Sequence, residues 1–278
     1  MTPALQLSNG FIIGSVIAIA FMIMFPLALA VLARRKLGVG WRYFGFGALV
    51  FFVSQMLIRI PLIIALQMAL APQLSGSRGL QIAFGGLLAL TAGLFESVGR
   101  YLGYRWLMRN DEKTWSKGVM YGLGHGGIEA MLLVAGLALA NLIALLTMSA
   151  VQFEALPLDA REALLEATQL PIWVVFAGAW ERIWAISFHA AMSLVVLQVF
   201  RRGSMRWLLY AILLHALFDF IAPVLVPQLG LDLTSRILLQ EGLIMLIGLC
   251  GIWIIWALRD RPNDQPRSEA TPTGQIVS

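Results

Sequence analysis

Apolar residues in this chain do not alternate with polar ones. They run in long blocks separated by short polar or basic connections. Seven blocks stand out, approximately Phe11–Leu32, Phe44–Leu66, Gln81–Met108, Lys117–Met148, Pro171–Phe200, Trp207–Val226 and Ile237–Leu258. A helix needs about 20 mostly apolar residues to cross a bilayer core, and every block is long enough. In lipid the backbone has no water to bond to, so a spanning segment satisfies its own N–H and C=O groups as a helix. The pattern predicts an all-α, polytopic membrane bundle of about seven transmembrane helices.

The connections carry the next layer of information. Arg34, Arg35, Lys36 and Arg42 follow the first block. Arg105, Arg109, Lys113 and Lys117 follow the third, Arg201, Arg202 and Arg206 the fifth, and Arg259 and Arg261 the seventh. The alternate connections hold only Arg78, Arg161 and Arg236. Basic loops stay on the cytoplasmic side, so the N-terminus is expected outside and the C-terminus inside. Met1–Gly10 holds no Lys or Arg and lacks the basic start of a cleaved leader, so the first span is expected to remain. Residues 1–260 read as one transmembrane domain. Residues 261–278, rich in Pro, Ser and Thr, read as a disordered cytoplasmic tail. Leu158–Gln169 has apolar residues at helical spacing and acids opposite, which predicts a short helix outside the bundle.

Composition agrees: 59% of the 278 residues are hydrophobic and 13% are charged, against about 25% charged in soluble domains. So little charge cannot coat a soluble globule. The formal net charge of +5 reads as an orientation device, and nucleic acid is excluded as a partner. The lipid bilayer is the first partner implied. Cys250 is the single cysteine, so an internal disulfide is impossible.

The chemistry lies in the few charges that are not in connections. An ionisable group inside a span costs a few kcal/mol or more and persists where it is paired or lines a polar cavity. The third block holds Glu96 and Arg100, the fourth His125 and Glu129, the fifth Glu181, Arg182 and His189, and the sixth His215 and Asp219. All three histidines lie within spans. Glu96/Arg100, His125/Glu129 and His215/Asp219 are each four apart and share a helix face; Arg182 and His189, two turns apart, also share one. At a rise of ~1.5 Å per residue, Glu96, Glu129 and Asp219 lie ~18 Å from the cytoplasmic ends of their spans, His189 ~16 Å, and His125 and His215 ~12 Å. One buried polar site is expected. Arg182, at ~27 Å, falls outside that level and reads, with Glu181, as structural.

Three chemistries suit such a cluster. In hydrolysis a carboxylate holds and deprotonates a water; Glu96 is the candidate base, Arg100 its neighbour, and His215 with Asp219 an oriented donor pair for an oxyanion. No cofactor is needed in that reading. In a metal site, His125, His189 and His215 with a carboxylate would hold Zn²⁺, although the HExxH pattern is absent. In a proton-coupled transporter the same groups would relay protons, although no internal repeat is visible. A nucleophilic serine in Gly-x-Ser-x-Gly is absent. On the residues alone, protease and transporter stand level.

The motifs Phe95-Glu96-x-x-x-Arg100, Gly124-His125-Gly126-Gly127-Ile128-Glu129-Ala130, Glu181-Arg182 followed by Phe188-His189, and His215-Ala216-x-x-Asp219 resemble those of the YhfC family. That family is related to the PrsW proteases and to the CAAX-protease and bacteriocin-processing proteins. The resemblance covers roughly residues 93–219, the catalytic core. It implies a glutamate-type intramembrane endopeptidase of a bacterial cell membrane, acting on a membrane protein or peptide. Carried over by motif, Glu96 would activate water with help from the second motif, and His215 and Asp219 would stabilise the tetrahedral intermediate. Zinc remains the alternative cofactor.

Other features read as structural. Gly122, Gly124, Gly126 and Gly127 are expected to let helices approach. Arg59, before Pro61, is expected to snorkel toward the membrane surface. Trp41, Trp115, Trp207 and Trp256 are expected at the interfaces.

Overall fold

In the computed structural model, which describes residues 7–169 and 171–260, seven helices are long and apolar enough to cross a membrane. They are α1 Asn9–Leu37, α2 Trp41–Ser75, α3 Arg78–Trp106, α4 Trp115–Thr147, α5 Ile172–Arg202, α6 Arg206–Leu229 and α7 Leu233–Ala257. Among the described residues there is no strand. The protein is a multi-pass integral membrane protein. The helices run past the apolar blocks because their caps lie beyond them. Ser8 Oγ accepts from the N–H of Phe11 at 3.1 Å, and Ser77 Oγ from that of Leu80 at 3.3 Å. Asp232 Oδ1 accepts from the N–H of Ser235 at 3.0 Å. Each cap satisfies a backbone donor that a helix start leaves free. Leu158–Gln169 forms the short helix expected, preceded by a second, Ala150–Glu154. The tail expected to be disordered, 261–278, lies outside the described residues.

Helix α5 is the core of the bundle. Every residue from Phe188 to Val199 is buried, as expected of a helix apolar all round and enclosed by protein. It packs against α4, α7, α6, α3 and α1. Helix α2 lies along α4, and α3 along α6. The glycines of α4 set these distances. A Cβ at Gly124 would stand 1.9 Å from the carbonyl oxygen of Phe44 on α2. A Cβ at Gly126 would stand 2.9 Å from Cβ of His189 on α5. The packing explanation for these glycines is therefore sufficient.

Three spans widen into π turns, Phe52–Arg59 in α2, Glu129–Val134 in α4 and Ile221–Leu225 in α6. In α2 the N–H of Ile60 bonds to the carbonyl of Gln55, five residues back. Pro61 follows directly and has no N–H for the carbonyl of Leu57, so an ordinary turn would be broken there. Pro223 does the same within the α6 segment, leaving the carbonyl of Asp219 without its usual partner. In α4 the wide turn begins at Glu129, where the glycine run ends.

The two ends of the bundle differ. At the end bearing the basic connections, Tyr43, Met108, Tyr104, Tyr121, Met120 and Leu197 form a buried layer. Tyr104 stacks on Tyr121 with centroids 4.5 Å apart, and its hydroxyl donates to the Ser193 carbonyl at 3.1 Å. Arg42 pairs with Asp111 there, and Trp115 Nε1 donates to the Ile255 carbonyl at 2.8 Å. Cavities lie toward the other end, where α1 begins.

Gly124→Ala is expected to destabilise the protein by ~1–3 kcal/mol, the usual cost of overpacking, because the new methyl meets backbone. A thermal melt of the detergent-solubilised variant, compared with Gly136→Ala, where a Cβ meets nothing within 4 Å, checks this.

Candidate active site

Four helices deliver the polar side chains to one place. Glu96 and Arg100 come from α3, His125 and Glu129 from α4, Arg182, His189 and Ser193 from α5, and His215 and Asp219 from α6. The i, i+4 spacing read in the sequence does what helix geometry dictates: each pair points from one face. Glu96, Arg100, His125, His189 and His215 are at most 5% exposed.

The carboxylate of Glu96 is the common point. Its Oε2 accepts from Arg100 Nη2 at 3.0 Å and lies 3.0 Å from His125 Nε2, 3.5 Å from His189 Nδ1 and 3.6 Å from His215 Nε2. Its Oε1 accepts from Gln55 Nε2 at 3.0 Å. Arg100 Nη2 also lies 2.8 Å from His189 Nδ1, and Arg100 Nε donates to Ser193 Oγ at 3.2 Å. A guanidinium only donates, so His189 Nδ1 is the acceptor in that contact. In neutral His189 the proton then sits on Nε2, which faces Glu129 Oε2 at 2.6 Å. Glu129 Oε1 accepts from Arg182 Nη1 at 2.8 Å, and Arg182 also pairs with Glu181. His215 Nε2 is 3.5 Å from Asp219 Oδ2, whose side chain stands at the rim, 39% exposed.

Two cavities flank this cluster. One, of about 270 Å³ among α5, α6 and α7, is lined by Arg182, His189, His215, Asp219 and Glu241. The other, of about 500 Å³ among α2, α3, α4 and α6, is lined by Gln55, Arg59, Glu96, Ala92 and Leu133. Glu129, Asp219 and Pro223 line both. Glu96 itself lines the larger cavity, and His189 and His215 line the smaller.

A family described as YhfC intramembrane metalloprotease matches residues 21–244. The chain belongs to the YhfC intramembrane metalloprotease family. It is also 33% identical over 250 residues to the "Uncharacterized membrane protein YhfC" of Bacillus subtilis (strain 168), covering 87% of this chain and 93% of that protein. No solved structure matches. All the residues of the cluster lie inside the stretch matched by the YhfC family.

The family's description implies a metal ion, and the donors can be tested against one. Ligand atoms of Glu96, His125 and His189 all lie within 4.8 Å of one another. Nitrogen and carboxylate oxygen are the usual ligands of zinc, at about 2.0–2.2 Å, and opposed ligands at that radius stand about 3.4 Å apart in a tetrahedron. The contacts of 3.0 and 3.5 Å from Glu96 Oε2 to His125 and His189 fit that frame. Of the expected donors, Glu96, His125 and His189 form a close group, and His215 stands beside it. The family's description also turns the cofactor expectation away from none and toward zinc.

Two further expectations change. Arg59 does not snorkel: it donates to Gln55 Oε1 at 3.1 Å, to Thr91 Oγ1 at 3.2 Å and to the Leu88 carbonyl at 2.6 Å. Its turn is the widened one, which directs it across to α3. Arg182 does not stand apart from the cluster, since its long side chain reaches Glu129. Gln55 went unread because a neutral amide in an apolar block carries no charge signal. The signal available was Gln55-x-x-x-Arg59, the same i, i+4 spacing as the other polar pairs.

Arg182→Met is expected to lower stability by about 3 kcal/mol, the scale for stripping one partner from a buried ion pair, because Glu129 loses its cation. Combining it with Glu129→Gln should recover part of that loss in thermal melts of the purified protein.

Proposed function

We propose that this chain is an intramembrane endopeptidase whose reaction centre is the carboxylate of Glu96. The observation that carries the reading is the convergence of three imidazoles and one guanidinium around Glu96 Oε2, deep in the bundle, with Glu96 lining a cavity of about 500 Å³. In this reading Glu96 Oε2 takes the proton of the attacking water. A buried carboxylate held by donors on both oxygens has a fixed direction and sheds no solvent shell at the moment of reaction. Arg100 Nη1 is buried and without a partner among the described residues, so it is a free donor for the developing oxyanion. His215 Nε2, 3.6 Å from Glu96 Oε2 and 3.5 Å from Asp219 Oδ2, offers a second donor. Glu129 fixes the tautomer of His189 through Nε2. The substrate is a polypeptide of the membrane, because the site opens within a bundle that lies in lipid.

A second reading concerns how the water is activated. Zinc, held by Glu96, His125 and His189, would polarise the scissile carbonyl and acidify a bound water; the donor set and the family's description favour it. Arg100 favours the metal-free form, because its Nη2 already engages Glu96 Oε2 and His189 Nδ1, two of the three atoms an ion would need.

The function is tested by reconstituting the protein in liposomes, adding a detergent extract of bacterial membrane proteins and sequencing newly created N-termini. The native protein should generate them, and Glu96→Gln should lower the rate by at least ~100-fold, the scale of a lost general base. His215→Ala should cost ~100-fold. Native-rate cleavage by Glu96→Gln would sink the reading.

The metal question has its own measurement. Elemental analysis of the purified protein should give about one zinc per chain if the ion is resident, with activity lost to 1,10-phenanthroline and restored by Zn²⁺. A metal-free sample that cleaves at full rate in the chelator leaves Glu96 acting alone.

A further inference from the structure

We propose that Gln55 and Arg59 of α2 are positioning residues for Glu96, forming a fixed relay that sets the direction in which its carboxylate points. The inference rests on the reading of Glu96 given above and extends the site to a helix outside the motif-bearing core.

Gln55 is 2% exposed. Its amide spans two charged groups of opposite sign: Nε2 donates to Glu96 Oε1 at 3.0 Å, and Oε1 accepts from Arg59 Nη1 at 3.1 Å. Only one orientation of that amide is possible. Turned over, its NH₂ would face a guanidinium that cannot accept, and its oxygen would face a carboxylate that cannot donate. Arg59 is itself held by Thr91 and by the Leu88 carbonyl, both on α3. Thr91 and Leu88 lie on the same helix as Glu96, five and eight residues before it. The relay leaves α3 at Leu88 and Thr91, crosses to α2 through Arg59 and Gln55, and returns to α3 at Glu96. The relay thus pins α2 to α3 at three points, Leu88, Thr91 and Glu96.

The wide turn makes the loop possible. Gln55 and Arg59 both lie in the widened Phe52–Arg59 segment, where the Gln55 carbonyl accepts from the N–H of Ile60, and Pro61 follows directly. What the relay does for the reaction is specific. With Oε1 occupied by Gln55, the in-plane rotation of the carboxylate is fixed, and Oε2 is the oxygen presented to Arg100 and the three histidines. Without Gln55 the two oxygens can exchange places or tilt toward the 500 Å³ cavity, and the alignment with His125 and His189 is lost. Partners of this indirect kind typically carry 10- to 100-fold of activity.

Four variants test this in the membrane-extract assay, with thermal melting measured on each. Gln55→Glu keeps the size and the acceptor for Arg59 but sets a second carboxyl against Glu96, which repels it when ionised and can donate to it when protonated. Gln55→Leu removes both the donor to Glu96 and the acceptor for Arg59. Arg59→Lys can still donate to Gln55 Oε1, and Arg59→Met cannot. We expect Gln55→Glu, Gln55→Leu and Arg59→Met each to lose about 10- to 100-fold of the initial rate. We expect Arg59→Lys to stay within about fivefold of native, a rescue by donor chemistry that simple packing would not give. Native-rate Gln55→Leu alongside an inactive Glu96→Gln overturns the relay and leaves the proposed function standing. So does a pattern in which rates follow melting temperature alone, with Arg59→Lys no better than Arg59→Met. Native-rate Glu96→Gln overturns both.

Discussion

One buried carboxylate governs the design of this protein. A charge in the hydrocarbon region of a membrane has no water to solvate it, so the protein must supply every donor. Glu96 is bonded by Gln55 of α2, Arg100 of α3 and His125 of α4, with His189 of α5 and His215 of α6 standing 3.5 and 3.6 Å away. Five of the seven spans therefore meet around one group, and the rest of the architecture can be understood as what allows five helices to reach it. Glycine in α4 brings that helix against α2 on one side and α5 on the other. A wholly buried α5 serves as the common wall. The aromatic layer of Tyr43, Tyr104 and Tyr121 lies at the basic end, and the two cavities beside the polar centre lie toward the other.

The π turns answer a geometric difficulty. An α-helix presents a side chain every 100°, and five helices of ideal geometry seldom aim their polar groups at one point. Inserting a wider turn rotates everything beyond it. Gln55 and Arg59 lie within one such turn, Glu129 begins another, and Asp219 stands two residues before a third. The three distortions sit next to the cluster, where local backbone irregularity can be supported by protein on all sides.

The sequence made much of this legible. Seven apolar blocks became seven spans, because in lipid a long apolar run has one structural solution. The convergence of Glu96, His125, Glu129, His189, His215 and Asp219 followed from counting residues along antiparallel helices, since each residue has a fixed rise. Reach and direction were not legible. Arg59 lies at a depth from which a long side chain can go either outward to headgroups or inward to a partner, and only the position of Thr91 and Leu88 decides between them. Arg182 was separated from the cluster by the same uncertainty. Gln55 escaped because a search for ionisable groups does not register an amide. The identity of the close donor trio, Glu96 rather than His215 beside the other two histidines, depends on tenths of an ångström that spacing does not encode.

The i, i+4 spacing of Glu96 and Arg100 has a consequence for how the chain enters the membrane. The apolar stretch of helix α3 has the lowest mean hydropathy among the seven spans, 1.6 against 2.8 for α1, and the helix interior carries Glu96 and Arg100. Taken singly, each such charge would oppose partitioning of a nascent helix by roughly 3 kcal/mol. Their bond needs no residue from any other span, so it forms as soon as α3 coils. The segment can leave the translocation machinery as an internally neutralised unit, before α4, α5 and α6 have been synthesised. The contact that later anchors the polar centre thus first serves biogenesis.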